Sequence, residues 1–508
     1  MSLRRRTVCT WLLVGLMATA PASPAFTAPS LDAGAGTWRM IALSGPTQFT
    51  VAPPAQVTSF DYQSELNAIK NAQSRLTTAQ RKAIDYWSSG GVLRWNEIMM
   101  GLVARYNLQP APNSDDSYPV PDANNPFADP QFPFANPPYS ARAYSYVSVA
   151  QYDALKAAWY FKFLYNRPAP SKVDGGIKRL MPASDLPAYP SEDAVMSGVN
   201  AEIMKLLFPA AVEEITMKAA EQRQAALLSG KATASDIAAG LALGQAVAAV
   251  FVARAGTDGM RTAGGSPALW QALADGARAR GEIAWKSQDI PARPPMLPVF
   301  GAVRPWMMTA EDIVRERPAA PPSTSSDQMA REVAEVRRYV DHGTREELAI
   351  ANKWADGPST PTPPGHWNFL AAPYIRNAGY SEVRAARAFA LLDMALLDAA
   401  VGCWDAKYFY FNPRPSQMDR ELKTVIGLPN FPSYTSGHST FSGAAAEVLS
   451  YLFPADAAYF EAQKEEASIS RLYGGIHYRS DLEMGKAHGK RIGGYTVSFA
   501  RTDGADFP

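Results

Sequence analysis

An all-α fold, made of packed helical bundles joined by long Pro-rich connections, is what this sequence predicts. Three observations carry that expectation. Apolar residues recur at helical spacing through most of the chain, β-type alternation is almost absent, and 41 prolines among 508 residues gather in a few irregular stretches. That length is enough to bury a sizeable core. The balance of 49 Lys+Arg against 48 Asp+Glu, formally +1, gives no basic stripe, so nucleic acid is excluded as a partner class.

Residues 1–25 read as an address and not as fold. Arg4, Arg5 and Arg6 precede an apolar stretch from Val8 to about Ala20, and Ala22, Ser23, Pro24 and Ala25 follow. This is the three-part pattern of a secretory signal, so the expectation is an exported, periplasmic or extracellular protein. The apolar stretch is too short to span a membrane. The arginines before Thr7 hint at twin-arginine export without deciding the route. Beyond the signal only Cys403 remains, so no internal disulfide and no thiolate zinc site is available. Cys403 is expected in the core.

Residues 26–327 are expected to form an N-terminal helical region. A helical pattern runs from Thr78 to Tyr106 with a break at Gly90-Gly91, and residues 108–140 read as a long loop rich in Pro, Asn and Asp. Further helices are expected from Ser140 to Tyr165 and over 192–208, 211–229 and 235–254. Ile237 to Ala253 is the most apolar of these, with Gly240 and Gly244 at small-xxx-small spacing and Gln245 within it. It is expected to be a buried helix in close contact with a neighbour, so that the mature chain is not an integral membrane protein. The Pro-rich stretch 286–327 marks the boundary to a C-terminal helical region, 328–508. Helices are expected there at 329–341, 345–355, 380–401, 438–453, 456–473 and 481–499.

Three short pieces of the C-terminal region carry the chemistry. Lys407 precedes Arg414-Pro415 by six intervening residues, Ser436-Gly437-His438 opens a helical run, and Ser470-Arg471 is followed by His477 and Asp481. Lys407, Arg414 and Arg471 supply permanent positive charge and many N–H donors, which suits a tetrahedral oxyanion. At a loop-to-helix junction the free N–H groups near Ser436 and Gly437 favour an anion as well. Two histidines, His438 and His477, leave one to attack or coordinate a central atom and the other to exchange a proton. Asp481, four residues after His477, would share its face if that turn is helical, and could orient its ring. Each piece alone has an ordinary reading: a solvated charge pair, a capped helix start, a core histidine. Their order and spacing together do not. His342, His366 and His488 have no such company and read as structural, although His366 sits in a Pro-Pro-Gly-His-Trp loop that could line a pocket.

These pieces resemble the signature of the type 2 phosphatidic acid phosphatase and vanadium-dependent haloperoxidase superfamily, and among its members the soluble bacterial haloperoxidase-like proteins. The similarity spans roughly residues 350–490 and includes Trp354-Ala355-Asp356-Gly357, Pro363-Pro364-Gly365-His366-Trp367 and Phe431-Pro432-Ser433-Tyr434. Thr435 departs from it, standing where many members have proline. The resemblance implies an all-α fold in which Lys407, Arg414 and Arg471 bind the oxygens of phosphate or vanadate, helped by Ser436 and Gly437. His438 would be the general acid–base, and Asp481 would support His477. That histidine would ligate vanadium in a haloperoxidase, or attack phosphorus in a phosphatase.

Trp404 and Phe431 resemble aromatic positions that line the chloroperoxidase pocket, and they tip the expectation towards vanadate-bound, peroxide-driven halide oxidation. The alternative is a secreted acid phosphatase that hydrolyses phosphate monoesters through a phosphohistidine and needs no cofactor. A third reading is an anion-binding protein without turnover. The expected partners are small molecules: peroxide and halide, or a phosphate monoester.

Overall fold

The computed structural model describes residues 31–119, 133–182 and 184–506. The expected signal segment 1–25 and part of the expected 108–140 loop lie outside the described residues. Within them the chain is helical and has no strand. The N-terminal part contains α1 (Phe60–Gln73), α2 (Thr78–Trp87), α3 (Gly91–Tyr106), α4 (Pro137–Tyr165), the short α5 (Pro170–Val173), α6 (Glu192–Leu207), α7 (Val212–Leu228), α8 (Ala234–Ala255) and α9 (Pro267–Ala279). After it come α10 (Ala310–Glu316), α11 (Asp327–His342), α12 (Arg345–Lys353), α13 (Thr362–Asn377) and α14 (Glu382–Tyr410). The chain closes with the short α15 (Pro415–Met418), then α16 (Gly437–Leu452), α17 (Ala457–Tyr473) and α18 (Arg479–Ala500).

The centre of the molecule is α14. Ser381 caps it by accepting from the Arg384 N–H at 3.2 Å. Nearly every residue from Val383 to Tyr408 is buried, as expected of a helix that is apolar all round. It packs on α4, α16 and α18. One apolar core runs from Ala35 to Ala500 and draws on helices from both ends of the sequence. Both ends of the described chain are tied to the start of α14: Arg384 pairs with Asp32 at 2.5 Å and Arg387 with Asp503 at 2.7 Å.

The glycines of α8 behave as their spacing predicts. A Cβ on Gly240 would lie 2.3 Å from the Ser191 carbonyl oxygen, and one on Gly244 would lie 2.3 Å from that of Val195, so α8 rides directly on α6. Burial is one-sided, however. Ala238, Ala242, Gln245 and Ala249 are exposed, so the expected buried helix is covered on one face only. By length and composition α8 is the one helix among the described residues apolar enough to cross a membrane.

Three further differences concern irregular or Pro-rich sequence. The Pro-Pro-Gly-His-Trp stretch is the first part of α13 and not a loop, because proline is tolerated in a first turn where its missing N–H has no helical acceptor. A short helix, α10, lies inside the stretch 286–327. The expected helix 380–401 continues to Tyr410 and ends on Phe411 in the left-handed region at φ 56°.

Candidate active site: an oxyanion cradle

Five helix ends and one connecting turn deliver the motif residues to one place. The last turn of α14 carries Lys407, and Arg414 stands at the start of α15. Ser436, Gly437 and His438 open α16, Arg471 lies in the last turn of α17, and Asp481 is in the first turn of α18. His477 sits just before α18, in the turn that joins it to α17. Lys407, Arg414, Arg471, His477 and Asp481 are each no more than 2% exposed.

The three cations are fastened by backbone carbonyls. Lys407 Nζ donates to Pro432 O at 2.9 Å, Ser433 O at 2.8 Å and Thr435 O at 2.5 Å. Arg414 donates from Nε to Phe431 O at 2.9 Å and from Nη1 to Ile476 O at 2.7 Å. Arg471 donates from Nε to Ser470 Oγ at 2.9 Å and from Nη2 to Trp354 O. Among the described residues none of the three forms an ion pair with a carboxylate, and Arg414 Nη2 is buried without a partner. Burial depresses all three, Lys407 to about 7 and Arg414 and Arg471 to about 10.

No carboxylate bonds directly to any of these three buried cations, and a tetrahedral oxyanion supplies such a charge together with acceptors for the unmet N–H groups. The residues therefore fit phosphate or vanadate. They do not form a direct metal nest: no group of three or more His, Cys, Asp or Glu among the described residues is placed to hold a metal ion. Vanadium would be met through its oxygens and one histidine.

His477 is set up for that contact. Arg414 Nη1 lies 3.0 Å from His477 Nε2, and because a guanidinium only donates, Nε2 carries the lone pair. The proton is then on Nδ1, which donates to Asp481 Oδ2 at 2.7 Å. Burial, followed by the charges of Arg414 and Lys407, holds His477 well below its usual value, so the ring is neutral. Asp481 meets His477 as expected, although His477 precedes the helix. The contact comes from the α18 cap, in which the Tyr478 N–H donates to Asp481 Oδ2 at 3.2 Å. Burial raises Asp481 to about 6, against the Ser433 hydroxyl, which donates to Oδ2 at 2.5 Å.

Ser436 caps α16 by accepting from the Ser439 N–H at 3.3 Å, and its own N–H is taken by Asp481 O at 3.0 Å. Its hydroxyl hydrogen remains for an oxyanion. The Gly437 N–H stands in the first helical position, where no helical acceptor exists. The Phe431 ring centre lies 4.9 Å from Lys407 Nζ and 5.0 Å from Arg414 Cζ, so this ring walls the cradle. Trp404 stands behind it at 5.0 Å, anchored by Nε1 to Met296 O at 3.1 Å, and serves as backing. Cys403 is buried beside Thr435, as a core residue.

Reasoning from sequence assigned no role to Asp356, and read His366 as structural or at most as lining a pocket. Asp356 Oδ2 accepts from His438 Nε2 at 3.0 Å, and its Oδ1 is 3.0 Å from His366 Nδ1. Burial would raise this carboxyl, but the His366 and His438 hydrogen bonds outweigh it and hold the group well below the usual range. His366 in turn stacks on Trp354 at 4.1 Å. Burial and then Arg471 lower His438 to about 4, so it too is neutral, with its proton on Nε2 and Nδ1 able to accept one. His488 is buried in the core with neither ring nitrogen hydrogen-bonded.

Residues 387–504 match the family model of the PAP2 superfamily, the superfamily that the motif pieces resemble. Among solved structures the fold is shared with a bacterial vanadium-dependent iodoperoxidase, with a TM-score of 0.59 at 22% identity over 82% of this chain and 98% of that one. The apo form of a bacterial vanadium-dependent chloroperoxidase aligns with a TM-score of 0.51 at 14% identity, over 76% of this chain and 100% of that one. For a holo form the values are 0.50 and 13%, over 78% and 98%. At such identities the likeness is one of fold. No curated protein matches the chain's sequence.

Proposed function

We propose that this chain is an exported, vanadium-dependent haloperoxidase-like enzyme, directed outward by residues 1–25 and soluble once they are removed. Its substrates are peroxide and a halide. The observation that carries the reading is the aromatic wall: Phe431 lies flush against Lys407 and Arg414, backed by Trp404. Such a wall keeps the cradle dry and strengthens its electrostatics. The fold shared with vanadium haloperoxidases over most of the chain supports the same reading.

Vanadate, when bound, supplies the activation of peroxide for halide oxidation. The chain's own residues do the rest. Lys407, Arg414 and Arg471 neutralise the oxyanion, while the Ser436 hydroxyl and Gly437 N–H complete its shell. His477 Nε2, whose lone pair takes an Arg414 N–H in the free cradle, would turn that lone pair to the central atom, and Asp481 keeps the proton on Nδ1. His438 Nδ1 accepts and returns a proton, steadied by Asp356 at Nε2.

The test divides phosphate-stripped protein in two. One half receives orthovanadate, peroxide, bromide or chloride and a halogen-trapping dye; the other receives a chromogenic phosphate monoester without vanadate. Vanadate-dependent halogenation is the expected outcome. Phosphate release that vanadate inhibits, with no halogenation, would make the chain a phosphatase that uses His477 as nucleophile. Silence in both halves, with tight vanadate binding, would leave a binding protein.

A further inference from the structure

A cleft of about 670 Å³ lies outside the cradle, and none of the cradle residues lines it. It lies between the end of α8, the segment leading into α10, and the early stretch at Ile41-Ala42. Its volume is within the range of small-molecule sites, roughly 300–1,000 Å³.

The charge in this cleft is of one sign. Arg254 and Arg304 are the only ionisable residues lining it, and neither forms an ion pair with a carboxylate among the described residues. Each repels the other, and burial together with that repulsion lowers Arg254. The nearby acids are occupied elsewhere. Asp398 accepts the Trp306 and Met307 N–H groups at 2.7 and 2.8 Å, Asp258 takes Arg142 at 2.6 Å, and Asp153 takes Lys156 at 2.9 Å.

The site is also built and not merely hollow. Arg254 donates from Nη1 to Tyr146 Oη at 2.6 Å and from Nη2 to Pro305 O at 2.8 Å, and its guanidinium lies 3.6 Å over the Trp306 ring. That leaves Nε–H and one Nη1 hydrogen without an acceptor on a group already held in place. Trp306 Nε1 is likewise buried and bonded to nothing. Ile41, Val250 and Ile313 add apolar wall.

We propose that this cleft is a second ligand site, for a small organic carboxylate with an apolar or aromatic body. The carboxylate meets the Arg254 and Arg304 guanidinium groups, and the body lies against Trp306 and the aliphatic wall. Fixed donors without acceptors, next to apolar surface, favour an amphipathic anion over inorganic phosphate, which would leave that surface wet. The inference does not depend on which reaction the cradle performs.

The experiment is a calorimetric titration of the full mature protein with 2-naphthoate, with saturating orthovanadate present to fill the cradle. Neutral 2-naphthamide is the control of equal shape. Naphthoate binding at least about tenfold tighter than naphthamide is expected, with about a tenfold loss in Arg304→Gln, whose exposed side chain holds no other part of the fold. Arg254→Gln, with folding checked by thermal melting, should lose as much or more. No naphthoate binding, equal binding of the amide, displacement by vanadate, or affinity unchanged in both variants would each overturn the proposal.

Discussion

Asp356 accepts a 3.0 Å hydrogen bond from His438 Nε2 across 82 residues of sequence. The contact fixes the tautomer of His438 and leaves Nδ1 as its basic atom. Asp356→Asn keeps the size but removes the charge that sustains His438 basicity. Turnover should fall about 10- to 100-fold, and the acid limb of the pH–rate profile should move to lower pH. Oxyanion affinity should hold or rise, because Arg471 loses a nearby negative charge. Parallel loss of affinity and turnover would instead make Asp356 part of the cradle.

The two histidines should separate in the same way. His477→Ala removes the lone pair at the centre of the cradle, so it should abolish activity and weaken vanadate binding. His438→Ala should spare binding and cost on the order of 10²–10⁴ in turnover. Equilibrium titration beside steady-state kinetics distinguishes them.

Burial lowers Lys407 to about 7 in the free cradle, against three carbonyl acceptors that favour its ammonium form, so its charge is held less firmly there as pH rises above neutral. An oxyanion strengthens that hold, and binding above neutral pH then takes up protons. Sulfate, which does not titrate in this range, isolates the effect. Calorimetry in buffers of different ionisation enthalpy should show net proton uptake at pH 8, falling towards pH 6 where Lys407 is already charged. Lys407→Met should abolish the uptake, and uptake that persists unchanged in that variant would refute the assignment.

Ser433 bonds the same carboxylate oxygen of Asp481 that holds His477. Without that hydroxyl, Asp481 rises further, so a larger share of it is protonated at neutral pH and His477 loses part of its charged orienting partner. Ser433→Ala should weaken vanadate binding about tenfold at pH 7 and less at pH 9, while Ser433→Thr restores it. A loss that is independent of pH would point to packing.

Asp393 lies at the core of α14, with Asn368 donating to one oxygen at 2.7 Å and the other unbonded. Burial raises it to about 7. A raised carboxyl contributes stability that is present below its unfolded value near 4 and lost as pH climbs to 7. Asp393→Asn should remove that slope, gaining on the order of 2–4 kcal/mol at pH 8 relative to pH 4 when urea unfolding of the two proteins is compared. Identical slopes would show that the charge is relieved in another way.

Most of the helical frame was legible, because its signals are local. The break at Gly90-Gly91 separates α2 from α3, and the boundaries of α6, α7, α8 and α16 to α18 fall within a residue or two of the period-based reading. The cradle was legible for the same reason, since each motif is short and ordered. What escaped is non-local or runs against propensity. Asp356 meets partners 10 and 82 residues away, and no spacing rule connects them. The run Tyr408-Phe409-Tyr410 shows no amphipathic period, yet it continues α14 because Tyr408 and Tyr410 hydroxyls reach the Met296 and Pro318 carbonyls. Helices α1 and α9 start at Ser59 and Ser266, whose caps were readable but stood among mixed composition.

The family match begins at residue 387, inside α14, whose first turn starts at Glu382. Asp356, the Trp354 carbonyl that takes Arg471, and the Met296 carbonyl that anchors Trp404 all lie upstream of it. The pocket is therefore not a portable cassette. Grafted alone onto another scaffold, residues 387–504 would carry every motif letter and still arrive with an unsteadied His438 and a Trp404 without its anchor.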